Sequence, residues 1–230
     1  MKLEGKNILL TGGSLGIGKE TALNLLRKRA NIIVTGRSID RLKKSFDGTD
    51  AKLIEFDIGD IDNIKSNTKK CLEFFNNKVD ILINNAGVGV RRSIEELNIK
   101  DFLDVYNVNV FGLSLLTKEI IPFMKNQKNG TIINIGSTAS LKGYPTGSIY
   151  SSSKFAVRCL TQCWQAELRP FNIRVCQVNP SEVTTAFANP ERVERDEIPN
   201  KLTPKEISHA IISAIEMDDR GFINELNVWA

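Results

Sequence analysis

One histidine and four cysteines in 230 residues leave the chain little with which to hold a transition metal. His209 is remote in sequence from every cysteine, and Cys71, Cys159, Cys163 and Cys176 include no C-x-x-C pair, so no metal site is expected. Thiols so few and so unpaired read as reduced structural side chains of a protein kept in a reducing compartment. Cys159 and Cys163, four residues apart on one helix, are expected to face the core as small hydrophobes. No apolar run approaches the roughly 18 residues that a membrane helix needs, and the opening MKLEGKNILL lacks the apolar stretch of a secretory signal. A membrane partner and export are set aside on that basis, and a soluble, cytoplasmic protein is expected. The formal charge is only +4, and no basic block is interleaved with aromatics, so nucleic acid is not an expected partner. Linkers, repeats and low-complexity tracts are also missing, which leaves one domain over 1–230.

What is present is an ordinary globular composition, 41% apolar and 25% charged, able to bury a sizeable core. Short β-branched runs recur at NILLT (7–11), NIIVT (31–35), AKLIEFD (51–57), VDILINN (79–85), GTIINIG (130–136), IRVCQVN (173–179) and FINELNVW (222–229). They are continuous rather than alternating, which implies burial on both faces of a parallel sheet. Between them lie helix-length segments, including 16–30, 63–77, 101–126, 148–169 and 203–216. The expectation is an α/β, Rossmann-like, doubly wound parallel sheet of about seven strands with helices on both faces. The least regular stretch, 184–203, is polar and contains two prolines, as a surface loop able to act as a lid would.

In such a sheet ligands bind beyond the carboxyl ends of the strands, where strand order reverses. The first strand runs into Gly12-Gly13-Ser14-Leu15-Gly16-Ile17-Gly18, a turn whose glycines let backbone N–H groups approach a pyrophosphate at a helix N-terminus. A sterically required strand-to-helix turn would also use glycine. Strand two ends at Gly36-Arg37, with no carboxylate for a ribose 2′-hydroxyl and a guanidinium suited to a 2′-phosphate, so NADP(H) is favoured over NAD(H). An exposed arginine at a helix cap is the bland alternative. Asp57 and Ile58 end strand three where an adenine would lie, and Asn85, Ala86 and Gly87 end strand four with room for a ribose. In YSSSK, Tyr150 and Lys154 share one helix face, where the ammonium would favour the phenolate and lower the tyrosine pKa. Two surface residues spaced so by chance would read the same.

Taken in order, TGGSLGIG, FDIGD, NNAG, NVNVFG, INIGS…YSSSK and NPSEVTT resemble the short-chain dehydrogenase/reductase family of the tyrosine-dependent type, over essentially the whole chain. The resemblance implies a catalytic group of Asn109, Ser137, Tyr150 and Lys154, with Ser137 thirteen residues before Tyr150. Ser137 would hold the substrate carbonyl, and Tyr150 would act as general acid in reduction and general base in oxidation. Lys154 would hold the nicotinamide ribose and lower the Tyr150 pKa. Asn109 would mark a helix kink and anchor a proton-relaying water. The cofactor set extends to Ser14, Leu15, Ile17, Tyr150, Lys154, Pro180, Val183 and Thr185.

The resemblance also implies a small-molecule carbonyl or alcohol as substrate, with Ser137, Leu141, Tyr144 and Tyr150 against it and Lys142 and Arg91 at the mouth. Those two cations would attract an anionic substrate or an acyl-carrier protein, or are simply solvated. Chain length and LTPKEIS resemble 3-oxoacyl-(acyl-carrier-protein) reductases and general carbonyl reductases. Helices 101–126 and 148–170 carry Phe, Leu and Trp164 on faces the family buries between subunits, which implies a homodimer or homotetramer. A non-catalytic dinucleotide-sensing module is the rival reading. Two departures stand out: Ser181 where the family usually has glycine, and Gly136 where it often has a first serine.

Overall fold

Successive residues of a strand point to opposite faces, and in the computed structural model, which describes residues 1–187, 189, 191–218 and 220–230, both faces are apolar. Strands β1 (Asn7–Thr11), β2 (Asn31–Gly36), β3 (Lys52–Glu55), β4 (Ile81–Asn84), β5 (Gly130–Ile135), β6 (Ile173–Pro180) and β7 (Glu225–Val228) form one sheet. Its order is β3-β2-β1-β4-β5-β6-β7, every neighbour parallel, so chain order reverses between β1 and β4. Ile8 and Leu10, Ile32 and Val34, and Ile81 and Ile83 pack on one face with Ala22, Leu25, Ile207, Ile211 and Ile215. These come from helices α1 (Gly16–Arg27) and α7 (Pro204–Glu216). Leu9, Ile33 and Leu82 point the other way, onto Ile64, Cys71, Leu116, Ile120 and Met124. That second layer is α3 (Ile64–Phe74) and α5 (Leu113–Gln127), flanked by α6 (Ser148–Leu168). The fold is thus the single-domain, Rossmann-like α/β sandwich expected from the pattern.

Local chemistry sets the ends of the elements. Short α2 (Ile39–Ser45) starts where the Ser38 hydroxyl accepts from Arg41 N, and α7 where Thr203 and Glu206 form a reciprocal capping box ahead of Pro204. Strand β3 is shorter than the run 51–57, because Phe56 and Asp57 leave the ladder towards the site. The long helix expected at 101–126 is divided: α4 (Ile99–Tyr106) and α5 are joined by a π-helical segment, Asn107–Gly112. A Cβ on Gly112 would lie 1.9 Å from the carbonyl oxygen of Ile58, so only glycine lets the two backbones meet there.

Two expectations are corrected on α6. Its buried stripe runs through Lys154, Val157, Thr161 and Leu168. Cys159 and Cys163 sit two positions further along, about 200° round the helix, and are exposed rather than in the core; Cys71 and Cys176 are the buried thiols. Trp164 is half-buried against the chain's own second layer, so it is not part of an outward apolar face. Among the described residues, Ile99, Leu103, Phe111 and Phe155 are the exposed large hydrophobic side chains of α4–α5 and α6. Of the 184–203 stretch, Ala188 and Pro190 lie outside the described residues. Its neck is closed by a Val183–Leu202 bridge and by Thr184 N donating to Leu202 O at 2.8 Å. Among the described residues no helix is long and apolar enough to cross a membrane, and no cluster of His, Cys, Asp or Glu could hold a metal ion.

Candidate active site

A cavity of about 1180 Å³ opens at the carboxyl edge of the sheet, at the reversal between β1 and β4. Its floor is the turn from β1 into α1. Gly12 (φ 68°) and Gly16 (φ 55°) lie in the left-handed region, and a Cβ on Gly12 would come 2.6 Å from the Cα of Ala86. Side chains from the neighbouring turn hold this loop from below. The Thr11 hydroxyl accepts from Asn85 N and Ala86 N at 3.2 and 3.1 Å, while Asn85 Nδ2 donates to the carbonyls of Thr11 and Gly12, both at 2.9 Å. Asn85 therefore ties the two loops together, and Ser14, Leu15, Ile17, Gly18, Ala86 and Gly87 line the cavity with it.

Arg37 at the end of β2 faces the same cavity, joined by Arg41 from the first turn of α2, which the sequence reading had not singled out. Neither guanidinium has a carboxylate partner among the described residues. Asp57 and Ile58 form the adjoining wall, with Asp57 Oδ1 accepting from Gly59 N at 2.9 Å. Backbone donors at a helix N-terminus, unpaired cations beside them and space on this scale together fit a dinucleotide carrying phosphate charge.

Across the cavity lie Ser137, Tyr150 and Lys154. Ser137 begins a 3₁₀ turn (Thr138–Ser140), its hydroxyl accepting from Ala139 N at 3.1 Å and its N–H donating to Asn179 Oδ1 at 3.2 Å. Burial pushes the Tyr150 phenol up to about 12, against the lowering effect of a hydrogen bond from Ser137 and with the nearby Tyr144 adding to the rise. Lys154, only 4% exposed, donates to the Ile135 carbonyl at 2.8 Å, and burial takes its ammonium down to about 8. Its Nζ lies 5.8 Å from the centre of the Tyr150 ring. The expectation that Lys154 lowers the Tyr150 pKa is thus not met in the protein by itself: desolvation of the phenol dominates, and what lowering there is comes from the Ser137 hydroxyl.

Asn109, in the π segment, is buried and does not line the cavity. Its Oδ1 accepts from Val88 N at 2.9 Å, and its Nδ2 donates to Val88 O at 2.9 Å and to Ser153 Oγ at 3.0 Å. Ser153 in turn donates to Tyr150 O at 2.7 Å, so Asn109 links the turn after β4 to the tyrosine's own helix. The sequence reading missed Ser153, although it lies inside YSSSK.

Pro180, Val183 and Thr185 line the far wall, with Thr185 packed against Gly16. Ser181 has no positive φ, and its N–H donates to Val228 O at 2.9 Å while its hydroxyl accepts from Ala230 N at 3.2 Å. Serine therefore fits there without strain. Gly136 has a steric reason too: a Cβ would fall 2.1 Å from Asn179 Oδ1 and 2.5 Å from Gln177 Nε2. Tyr144 lines the cavity under the Arg91 guanidinium, 5.7 Å from its ring centre, and Lys142 stands at the mouth. Leu141, the residue that follows the 3₁₀ turn, does not line the cavity. Phe187, from the 184–203 loop, covers Tyr150 instead, ring centres 5.6 Å apart. Loop aromatics have no periodicity, and nothing in the sequence marked this one.

Residues 6–196 match the family model for short chain dehydrogenase. The chain is 34% identical over 190 residues to a 3-oxoacyl-[acyl-carrier-protein] reductase of Thermotoga maritima, covering 80% of this chain and 77% of that one. It is 29% identical over 229 residues to an NADP-dependent 3-hydroxy acid dehydrogenase of Schizosaccharomyces pombe, covering 93% and 88%. Among solved structures, an alcohol dehydrogenase from Thermococcus sibiricus complexed with 5-hydroxy-NADP superposes with a TM-score of 0.88 at 28% identity, covering 98% of this chain and 96% of that one. The chain belongs to the short chain dehydrogenase family and is an NAD(P)-dependent dehydrogenase or reductase.

Proposed function

We propose that the protein is an NADP(H)-dependent reductase of small carbonyl compounds, with Tyr150 as its proton donor. The observation that carries this is one cavity with a half-buried Tyr150, Ser137 and Lys154 on one side and the glycine turn with Arg37 on the other. Gly12 to Gly18, Arg37, Ile58, Ala86, Lys154 and Thr185 would hold a nicotinamide dinucleotide there, which when bound would supply hydride.

The chain's own groups do the rest. Ser137 donates to the carbonyl oxygen and fixes it beside the tyrosine. Tyr150, held above its ordinary pKa by burial, is protonated at neutral pH and so is in the form that can donate. Passing the proton to the alkoxide oxygen leaves a phenolate, and the Ser137 hydroxyl and the Lys154 ammonium compensate that charge. Lys154 at about 8 is still mainly cationic at neutral pH. Asn109 acts through position, by fixing Val88 and the first turn of α6.

Two unpaired arginines at the β2 end, Arg37 and Arg41, support NADP(H), as do the NADP dependence of the Schizosaccharomyces pombe relative and the 5-hydroxy-NADP bound by the Thermococcus sibiricus enzyme. The Thermotoga relative makes a 3-oxoacyl thioester the first substrate to offer. Exposed Leu103, Phe111 and Phe155 support self-association through α4–α5 and α6, to be read by light scattering.

The test is nicotinamide oxidation followed by absorbance across 3-oxoacyl thioesters, diketones, aromatic aldehydes, steroids and sugars. Turnover with NADPH should fall roughly a hundredfold or more in Tyr150→Phe while NADPH binding persists. Tight NADPH binding with Tyr150→Phe indistinguishable from the parent would instead identify a sensor.

A further inference from the structure

The 184–203 loop brings two charged groups to the nucleotide wall, and neither is accounted for by the chemistry above. Arg192 lines the cavity half-buried and, like Arg37 and Arg41, has no carboxylate partner among the described residues. Its position is one no core element dictates: Arg192 adopts a left-handed backbone (φ 57°) at the end of a turn in which its N–H donates to Asn189 O. Arg37 and Arg41 stand close enough to depress the Arg192 pKa, after the effect of burial. Three unpaired like charges on one wall repel one another and favour an anion among them. The loop's next cation provides an internal contrast. Arg195 lines the same cavity but is already paired with Glu182 at 3.3 Å, and Glu182 also pairs with Lys201.

The second group is Glu194. Helix α1 has no side-chain cap and no acidic residue in its first turn. The carboxylate of Glu194 supplies the missing anion from 178 residues away, accepting from Gly16 N at 3.0 Å. That N–H is one of the donors a pyrophosphate would use at this helix end. A loop carboxylate thus occupies a donor that a cofactor phosphate would use, two residues from a cation with no carboxylate partner among the described residues.

From these two observations we infer that residues 192–194 form a cofactor-sensing clasp: Glu194 holds the loop on the Gly16 amide, and a 2′-phosphated dinucleotide displaces it while drawing Arg192 in as a third arm beside Arg37 and Arg41. This rests on reading NADP(H) as the cofactor. A dinucleotide without the 2′-phosphate must still displace Glu194 but gains nothing from Arg192. The loop therefore adds to discrimination between the cofactors as well as covering Tyr150 through Phe187.

Dissociation constants measured by fluorescence on the full chain separate the two arms, with adenosine 2′,5′-bisphosphate and ADP as probes of each end. Arg192→Ala should weaken NADPH and the 2′,5′-bisphosphate roughly tenfold to a hundredfold. It should leave NADH and ADP within about twofold. Glu194→Gln should tighten NADPH, NADH and ADP alike by roughly two- to fivefold. Arg195→Ala should change both cofactors in parallel. Equal weakening of NADPH and NADH by Arg192→Ala, or unmoved constants in Glu194→Gln, overturns the clasp. Arg37→Ala tells the two levels apart. If it discriminates between the cofactors and Arg192→Ala does not, the clasp fails and the cofactor reading stands; if neither discriminates, the cofactor reading fails and the clasp with it.

Discussion

The wall formed by the ends of β1, β4 and β5 and the wall formed by the 184–203 loop face each other across one cavity, and different forces hold them. The first is backbone pinned by buried and half-buried side chains: Thr11 and half-buried Asn85 under the glycine turn, Asn109 under Val88, Asn179 under Ser137. Each such bond is at least partly buried, and losing one that leaves a buried group unsatisfied costs about 1–3 kcal/mol. The second is joined to the core at its neck by Val183 and Leu202, and beyond that by ion pairs open to solvent, Glu182 with Arg195 and Lys201, and Glu197 with Lys205. Exposed pairs contribute roughly 0–1 kcal/mol each and weaken with salt. A rigid wall that fixes reacting groups faces a weakly held one that can exchange its contacts for those of a ligand. That division suits a site which must both orient a hydride donor and release it.

The strongest test of the rigid wall is Gly12→Ala. Alanine at φ 68° is strained, and its Cβ would stand 2.6 Å from backbone that cannot yield without moving Asn85 and Ala86. A loss of at least about 2 kcal/mol in unfolding free energy is expected, with cofactor binding lost in the protein that still folds. Denaturant titration and NADPH fluorescence would read the two effects. Unchanged binding would show that the turn does not carry the dinucleotide.

The same contrast explains what could be read from the chain before its structure. Gly12, Gly16 and Gly18 were legible because close approach and positive φ admit almost nothing else, and strand parity was legible because both layers demand apolar residues. Tyr150 and Lys154 were legible because an i,i+4 pair shares a helix face whatever the helix packs against. The phase of α6 against the sheet was not, and Cys159 and Cys163 were misplaced for that reason: which stripe is buried depends on the layer beneath. The direction of the Tyr150 pKa shift was missed because desolvation is a collective property of the cavity, which a two-residue spacing does not express. Phe187, Arg192 and Glu194 lay beyond reach altogether, since an irregular loop has no period from which a contact 178 residues away can be inferred.

Burial of Lys154 gives the rigid wall a pH signature. Its folded pKa, about 8, is below the ordinary 10.5, so between those values the unfolded chain binds the extra proton and stability rises with pH. This contribution is present above 10.5 and is lost as pH falls through 8. Tyr150 is shifted the opposite way, from 10 to about 12, and its contribution is lost only as pH rises above 10. Between pH 8 and 10 the lysine acts alone of the pair. The melting temperature of the parent protein should therefore gain on that of Lys154→Met across this interval. Parallel curves would mean that the ammonium is hydrated in solution and the wall less closed than its geometry implies.

Glu182→Gln addresses the other wall and should have the smallest effect. It removes the carboxylate shared by Arg195 and Lys201, both partly exposed, so global stability should fall by less than about 1 kcal/mol. The informative readout is local. With its ties cut, the loop beyond the neck should be cleaved faster by a protease of low specificity, in a manner that added salt reproduces in the parent protein. NADPH should then restore protection in both, because the cofactor replaces the lost ties with contacts of its own. If Glu182→Gln instead costs as much as an unsatisfied buried group, the loop is held as firmly as the glycine turn, and the difference between the two walls disappears.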